Sequence, residues 1–410
     1  MIEIKRKENC CGCNSCSQIC PKGCIVMKED KNGFLYPVVD LDSCIQCGLC
    51  ERACPCINQN TSHKPLKIYS AINRDEEIRT KSSSGGIFSL LAEKIIDQGG
   101  IVFGACFDEK WEVIHDYTET KDGINKFRGS KYVQSRIGDA YVKVKFFLTN
   151  NRVVLFSGTP CQISGLKRFL KRDYDNLYTI DVVCHGVPSP LVWREYLRYI
   201  NKPAKRVAGK NTVLSSLNAL PVVTGISFRD KRLGWEKFGF AVHKNVAYGD
   251  KNSVLQSILA HNSNDYFETL NSNVYLQIFI RNIDLRPSCF NCPSRDGKSG
   301  SDITLADFWG IQKFNPEMYD GKGTSMVLIH THKGEKLFNA ISCIKSEQEY
   351  HEAYYGNRQI EINPSKNYYA DKFWKYFHKY GFSKSKDYYM MANPSLRMRI
   401  IRKLFIKLFR

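Results

Sequence analysis

The feature that most constrains this chain is a pair of cysteine runs with identical spacing. In each run three cysteines are separated by two residues, and a fourth cysteine followed by proline comes after three more. Thiolates at this spacing can wrap one face of a cuboidal 4Fe–4S cluster, and the fourth cysteine of each run ligates the other cluster. The spacing predicts one cluster on Cys10, Cys13, Cys16 and Cys54 and a second on Cys44, Cys47, Cys50 and Cys20. Structural zinc or free core thiols are the alternative interpretations.

The distribution of cysteine indicates where the protein works. Eleven of the 17 cysteines lie in residues 1–56 of a chain of 410 residues. The N-terminus carries no apolar signal segment, and no run of roughly 18 apolar residues marks a membrane span. We therefore expect a cytoplasmic protein whose cysteines are reduced and bind metal rather than form disulfides.

Patterning predicts a small head and a larger α/β body. Two short apolar segments around Asp30-Lys31-Asn32-Gly33 predict a hairpin, because Asn-Gly readily adopts the positive φ angles of a tight turn. The polar segment 58–65 reads as a linker. Apolar strands then alternate with helical patterns, which favours parallel strands in the body. The strands are predicted at 101–107, 153–157 and 177–183, and the helices at 87–98, 162–172 and 190–200.

Two features of the body are candidates for binding sites. The Ser/Gly loop at residues 82–86 opens a predicted helix, so it either binds an anion at free backbone N–H groups or supplies a serine N-cap. Cys161 and Cys184 follow predicted strands, where ligands bind in open α/β sheets, and Cys289 and Cys292 form a Cys-x2-Cys pair. These four thiols could bind a third cluster. A four-thiolate zinc, a redox-active Cys289/Cys292 pair or isolated buried cysteines remain alternatives.

The chain resembles the coenzyme F420 hydrogenase/dehydrogenase beta-subunit family, preceded by a two-cluster ferredoxin domain. The matching strings occur in the family's order over roughly residues 1–335. They are Ser84-Gly85-Gly86, Gly129-Ser130-Lys131-Tyr132, Gly158-Thr159-Pro160-Cys161-Gln162, Cys184-His185-Gly186-Val187-Pro188-Ser189-Pro190, Ile226-Ser227-Phe228-Arg229-Asp230, Cys289-x2-Cys292 and Ser301-Asp302-Ile303-Thr304-Leu305-Ala306-Asp307-Phe308-Trp309-Gly310.

The resemblance implies a flavoprotein that contains FAD and a third 4Fe–4S cluster on Cys161, Cys184, Cys289 and Cys292. It implies flavin contacts at Ser84, Gly85, Gly86, Gly129, Ser130, Lys131, Tyr132, Thr304, Asp307 and Gly310. His185, Arg229, Asp230 and Asp307 are candidate catalytic groups that polarise a substrate or donate a proton. Structural roles are the alternative for them: Arg229 could pair with Asp230, and Asp307 could cap a turn.

We therefore expect an iron–sulfur flavin-dependent oxidoreductase. Its electron donor would be a ferredoxin or a reduced deazaflavin, and its substrate a small or sugar-linked molecule. Relatives of this longer type suggest capsule or exopolysaccharide biosynthesis. The alternatives are a non-catalytic electron-transfer subunit that feeds a separate reductase, and a docking protein whose clusters are structural.

The C-terminal region holds much of the chain's formal net charge of +19. Residues 396–410 place apolar and basic side chains on opposite helical faces, which is typical of a helix on an anionic membrane surface. A terminal helix packed on the body is the alternative, and peripheral location at the inner face of the membrane follows from the first interpretation. We expect no nucleic-acid binding, because no recognition fold accompanies the charge.

The predicted fold class is α+β. It comprises a small two-cluster ferredoxin domain, a larger α/β flavin-binding domain and a basic helical tail. The expected boundaries are 1–60 for the ferredoxin domain, 66–150 and 151–364 for two modules of the larger domain, and 365–410 for the tail.

Overall fold

A computed structural model of the protein describes residues 1–201, 221–246 and 266–387. The head contains two one-turn helices, α1 (Ser15–Gln18) and α2 (Leu49–Arg52). A hairpin of β1 (Ile25–Glu29) and β2 (Leu35–Val39) lies between them, with Ile25 opposite Val39. The predicted hairpin is confirmed, but its turn is wider than a two-residue Asn-Gly turn. The Asp30 carboxylate accepts the N–H groups of Asn32 and Phe34, and only Gly33 takes a positive φ, of +82°.

The body is built on an eight-stranded mixed sheet with strand order β13-β3-β12-β11-β7-β6-β4-β5. Strands β4, β6, β7 and β11 are parallel, whereas β5, β12, β3 and β13 run antiparallel to their neighbours. The expectation of parallel strands therefore holds for the centre of the sheet alone. The bounds are β3 Lys67–Ile72, β4 Ile101–Phe107, β5 Val113–Thr118, β6 Val154–Gly158, β7 Leu177–Val182, β11 Ile303–Asp307, β12 Ser325–Ile329 and β13 Ile344–Glu347.

A second, three-stranded antiparallel sheet has the order β10-β9-β8. Its strands are β8 Pro221–Asp230, β9 Gly239–Val246 and β10 Tyr266–Thr269. Helices of the body are α3 Glu76–Lys81, α4 Ile87–Asp97, α5 Ala140–Thr149, α6 Pro160–Leu170, α7 Pro190–Ile200, α8 Val274–Ile280, α9 His332–Asn339, α10 Tyr350–Gly356, α11 Ala370–Tyr380 and α12 Phe382–Ser385. The described part of the chain also has 3-10 turns at Lys7–Asn9, Asp122–Phe127, Pro287–Asn291, Ile311–Lys313, Pro316–Met318 and Arg358–Ile360.

Both expected modules of the body contribute to the large sheet. Strand β3 pairs with β12 and β13, although more than 250 residues separate them along the chain. Helix α4 follows its predicted pattern and buries Ile87, Leu91 and Ile95, four residues apart, against the sheet. Spacing of four places these side chains on one helical face, so the helix covers the strands that carry the candidate loops.

The expected tail divides into two parts. Helix α11 buries Phe373 and Phe377, and α12 buries Phe382, in the aromatic core around Trp193 and Tyr196 of α7. Residues 370–385 therefore pack on the body. The alternative interpretation of the tail proposed packing of this kind for its final helix, residues 396–410. The predicted amphipathic segment 395–410 lies outside the described residues. Within the described ranges, no helix has both the length and the apolar character needed to cross a bilayer.

Candidate functional site

The structure groups the head cysteines as the spacing predicts. One small cavity is lined by Cys10, Cys13, Cys16 and Cys54, together with Cys11 and Cys56. A second is lined by Cys44, Cys47, Cys50 and Cys20, together with Cys24. The fourth cysteine of each run thus lies with the first three of the other run. We call the first four cysteines site I and the second four site II; Cys11, Cys24 and Cys56 lie beside these ligands.

The backbone explains how three cysteines of one loop converge. In site I, Gly12 and Asn14 on either side of Cys13 have positive φ angles of +72° and +66°. In site II, Gln46 and Gly48 flank Cys47 with φ angles of +51° and +70°. Two left-handed residues around the central cysteine curl each loop on itself, so its thiols face one small space.

The two sites differ in exposure. Cys10, Cys13 and Cys16 of site I are buried, whereas Cys47 of site II is exposed and lies beside the exposed side chain of Ile45. Site I faces the body and site II faces the outside. Of the two sites, site II is therefore the one that another molecule can approach from solvent.

The body brings its four candidate cysteines together as well. Cys161 lies in the first turn of α6, Cys184 follows β7, and Cys289 and Cys292 lie in and after the turn at Pro287–Asn291. Burial raises the pKa of Cys184 to about 12, and the neighbouring Cys161 and Cys292 contribute to the rise. We call these four cysteines site III. Four half-buried thiols this close together suit a metal centre, because a cation stabilises the thiolate forms that otherwise repel one another.

Sites I and III are in contact. The thiols of Cys11 and Cys161 lie close enough to change each other's pKa. Gly165, one turn after Cys161, lies against Cys13 so closely that a Cβ atom there would be 2.8 Å from the Cys13 Cβ. The head is further attached where the Asn14 amide donates to the Gly138 carbonyl (2.7 Å).

A cavity of about 520 Å³ begins on the other side of site III. Its volume falls in the range of sites that bind cofactors and drug-sized ligands. Cys184 and the adjacent His185 lie in its wall. The predicted residues that line it are Ser84, Gly86, Gly129, Ser130, Lys131, Tyr132, His185, Arg229 and Asp307.

One end of this cavity is suited to an anionic group. Gly86 is the N-cap of α4 with φ +83°, and no side chain caps the helix, so the serine N-cap interpretation is wrong. The first residues of α4, Ile87 to Ser89, line the cavity with their N–H groups unpaired within the helix. Ser83 and Ser130 join the two predicted loops through a 2.9 Å hydrogen bond. Burial lowers the pKa of the nearby Lys131 to about 7.

An aromatic and charged cluster forms another wall. The Arg229 guanidinium donates a hydrogen bond from each terminal nitrogen to the Asp307 carboxylate, at 2.9 and 3.2 Å. The guanidinium also lies over the rings of Phe238 and Trp309. The Trp235 indole N–H also donates to Asp307 (2.7 Å), and its ring stacks on Trp309 at 4.6 Å. Asp307 is thus held by three donors rather than capping a turn. Sequence patterns gave no signal for Trp235.

Four of the predicted residues do not line the large cavity. Asp230 pairs with Arg232 instead of Arg229, because successive strand residues point to opposite faces. Thr304 points to a separate small cavity, where it bonds to Asp181 and His330. The N–H of Gly85 donates to Ser325, and Gly310 lies at φ +85° against Tyr355. Close backbone packing accounts for these two glycines.

Two histidines lie in the cavity wall. Burial lowers the pKa of the predicted His185, whose Nε2 is 2.6 Å from the Asn282 side-chain oxygen. His115, which sequence reasoning missed, bonds to the Ser157 carbonyl and the Ser135 hydroxyl, both at 3.0 Å. Its burial lowers its pKa to about 4, so it is neutral at physiological pH. The sequence signal was a single histidine in an otherwise ordinary strand.

A ferredoxin-like head whose clustered thiols contact those of a mixed α/β body defines the class of iron–sulfur electron-transfer proteins. Residues 68–140 and 151–350 match the family models for the N-terminal and C-terminal parts of the coenzyme F420 hydrogenase/dehydrogenase beta subunit. Residues 9–58 match the 4Fe-4S dicluster domain. The chain belongs to this beta-subunit family and carries a dicluster domain at its N-terminal end.

Individual relatives match parts of the chain. It is 25% identical over 206 residues to a coenzyme F420-dependent sulfite reductase of Methanocaldococcus jannaschii, over 48% of this chain and 30% of that protein. It is 32% identical over 78 residues to an uncharacterized ferredoxin of the same organism, over 19% of this chain and 94% of that protein. The chain thus spans less than a third of the length of the sulfite reductase.

Among solved structures, the chain is similar to one from a xenon derivatization of the F420-reducing [NiFe] hydrogenase complex of Methanosarcina barkeri. The TM-score is 0.43 and the identity 17%, over 80% of this chain and 91% of the other.

Proposed function

We propose that this protein is an iron–sulfur flavoprotein oxidoreductase. In this proposal electrons enter at site II, cross sites I and III, and reach FAD in the large cavity. The contact of Cys11, which lies beside the site I ligands, with Cys161 of site III carries the proposal, because it places the two sites side by side. Cys184 of site III also lies in the cavity wall, so the head, site III and the cavity form a continuous series.

The residues present fit the proposed groups. Four thiols in each of three places match the all-cysteine ligand set of a 4Fe–4S cluster. The uncapped start of α4, with Ser83, Ser130 and Lys131, would hold the diphosphate of FAD, because all line one end of the cavity. The Lys131 ammonium donates to the carbonyls of Lys126 and Arg128, which leaves one N–H for the ligand. When bound, FAD supplies two-electron storage that matches the single electrons of clusters to hydride chemistry.

The proposed substrate end of the cavity is the wall formed by His185, Arg229 and Asp307. The Arg229 guanidinium is 7% exposed and fixed by Asp307, so it can orient an anionic or carbonyl group without changing its own position. His185 is the proposed proton-transfer group: its Nε2–H donates to the Asn282 side-chain oxygen, so Nδ1 is the atom that would take up a proton and pass it on. Asp230 takes no part in this proposal, because Arg232 holds it outside the cavity.

The proposal is tested by removing one ligand of site III. We expect Cys289→Ser, purified without oxygen, to lose about one third of its iron while keeping its flavin. A reduced ferredoxin, too large to enter the cavity, should then reduce the flavin much more slowly. Cys343→Ser changes a half-buried cysteine far from all three sites and is the matched control. Unchanged iron and unchanged flavin reduction in Cys289→Ser would contradict the proposal.

A second candidate is an electron-transfer subunit that serves a separate enzyme. It is favoured by the match to less than a third of the sulfite reductase, whose remaining length has no counterpart in the alignment. Steady-state turnover of a small molecule by the purified chain with a chemical donor would favour the oxidoreductase. Turnover that appears only after a partner protein is added would favour the subunit.

Several expectations rest on the family resemblance or on sequence patterns alone and stay predictions. These are the ferredoxin or deazaflavin donor, a small or sugar-linked substrate, a role in capsule or exopolysaccharide biosynthesis, and a cytoplasmic location. The docking of residues 395–410 on an anionic membrane surface is a prediction of the same kind.

A further inference from the structure

Arg286 connects the head with site III and is fully buried, at 0% exposure. Its Nε donates to the Cys10 carbonyl at 2.8 Å. One terminal nitrogen donates to the Gln134 side chain (2.9 Å), and the other donates to the Leu35 carbonyl (2.9 Å) and contacts the Cys10 Sγ at 3.6 Å. Gly12 permits this approach, since a Cβ there would be 2.7 Å from the guanidinium.

Among the residues that the structure describes, no carboxylate pairs with the Arg286 guanidinium. Among the salt bridges of the described ranges, none involves Arg286. Its surroundings are carbonyl oxygens, the Gln134 amide, the rings of Tyr36 and Phe34, and the Cys10 thiol. A buried cation without a counter-charge is costly, so a negative group is expected beside it. The anionic thiolates and cluster of site I would supply that charge.

The same residue reaches site III through its backbone. The Arg286 carbonyl accepts the Cys289 N–H at 2.9 Å, at the start of the turn Pro287–Asn291. A side chain bonded to the Cys10 loop and a backbone bonded to Cys289 place this one residue between sites I and III.

Site II has an arginine in a comparable position but a different environment. Arg52 donates to the Cys47 carbonyl at 2.9 Å and is exposed to solvent. Water and salt screen an exposed charge, whereas a buried charge acts through a low dielectric. The two arginines therefore affect the two sites very unequally.

We propose that Arg286 raises the reduction potential of the cluster at site I above that of the cluster at site II. Reduction adds one negative charge to a cluster, and a buried cation in contact with a ligand sulfur stabilises that charge. An electron that arrives at site II is then favoured to move to site I, beside site III. This inference rests on the proposed function, since it requires clusters at both head sites.

The test is a redox titration monitored by electron paramagnetic resonance on the full chain, purified without oxygen. The variants are Arg286→Met, which removes the charge, Arg286→Lys, which keeps it, and Arg52→Met as the exposed control. Cys16→Ser alters a ligand of site I, so the midpoint potential that changes in this variant is assigned to the cluster at site I. We expect that midpoint to be the higher of the two head midpoints. Arg286→Met should lower the site I midpoint more than it lowers the midpoint of any other cluster. Arg286→Lys and Arg52→Met should leave the site I midpoint nearly unchanged.

Three results would overturn the inference. They are a site I midpoint that does not move in Arg286→Met, an equal fall of all midpoints, and an equal fall in Arg286→Met and Arg286→Lys. If Arg286→Met does not retain iron, Arg286→Gln removes the charge while keeping a hydrogen-bond donor for the Cys10 and Leu35 carbonyls, and it should lower the same midpoint. No shift in that variant would also contradict the inference. Wild-type protein without iron or flavin would instead contradict the proposed function.

Discussion

Asp284 is the residue whose charge the fold opposes most clearly. It is fully buried, and among the described residues no side chain donates to its carboxylate; only the backbone N–H groups of Ser189 and of Asp284 itself approach it, and they oppose the rise in its pKa in part. Burial raises its pKa from 3.8 to about 7. The protonated form is therefore favoured in the folded protein, and ionisation at higher pH destabilises it.

We predict that Asp284→Asn gains stability relative to wild type as pH rises. The folded-state pKa is raised, so the stability that protonation contributes is present below about pH 4 and is lost as pH rises to about 7, to a total of roughly 4 kcal/mol. The amide is unpaired at every pH, so the measured quantity is the change between two pH values. Oxygen-free calorimetry at about pH 5 and about pH 8 should show a larger relative gain in Tm at the higher pH.

The exposed Asp371, which pairs with Lys366, provides the control. Asp371→Asn should show little pH-dependent difference, because exposed ion pairs contribute little. A relative Tm of Asp284→Asn that is the same at both pH values would contradict the assignment of Asp284 as a protonated buried carboxyl.

At the scale of elements, α6 positions both site III and the head. Its N-terminus is fixed by a capping box between Thr159 and Gln162 and by Pro160 in the first turn. Cys161 in that turn joins site III, and the N-terminal end of a helix stabilises a thiolate. Gly165, one turn later, provides the flat surface on which the Cys13 loop rests.

We predict that Gly165→Ala loosens the head although alanine favours helix by about 1 kcal/mol. The added Cβ would be 2.8 Å from the Cys13 Cβ, 3.0 Å from its Sγ and 3.0 Å from the Tyr141 hydroxyl. Because the ligand loop must move, a chelator should remove iron from the variant several-fold faster than from wild type. Lys167→Ala on the same helix should release iron at the wild-type rate. Equal rates for Gly165→Ala and wild type would show that the head does not rest on α6 at this point.

At the scale of the whole molecule, the sequence was informative where structure depends on local spacing. The grouping of Cys10, Cys13 and Cys16 with Cys54 follows from the run itself, and strand 101–107 and helix 190–200 have the bounds that their patterns predict. The strand and the helix each depend on residues within one element, and the cysteine grouping depends on a spacing that occurs twice in the head. The N-terminal ferredoxin-like domain and the mixed α/β body were predictable for the same reason.

Contacts between distant segments could not be predicted from such patterns. Arg229 pairs with Asp307, 78 residues away, rather than with its neighbour Asp230. Thr304 lines a separate small cavity, where it bonds to Asp181 and His330, rather than the large cavity that its string suggested. The role of Arg286 likewise depends on how the head docks, and a lone arginine before Pro287 carries no sequence signal of it.

In the proposed function, one chain holds three clusters and a flavin in series. The most direct measurement is the iron, sulfide and flavin content of oxygen-free protein, taken with its visible spectrum. We expect roughly twelve iron atoms, a similar amount of sulfide and about one FAD per chain. Protein that contains about eight iron atoms and no flavin would contradict the claim, because it would leave site III and the large cavity without their proposed groups.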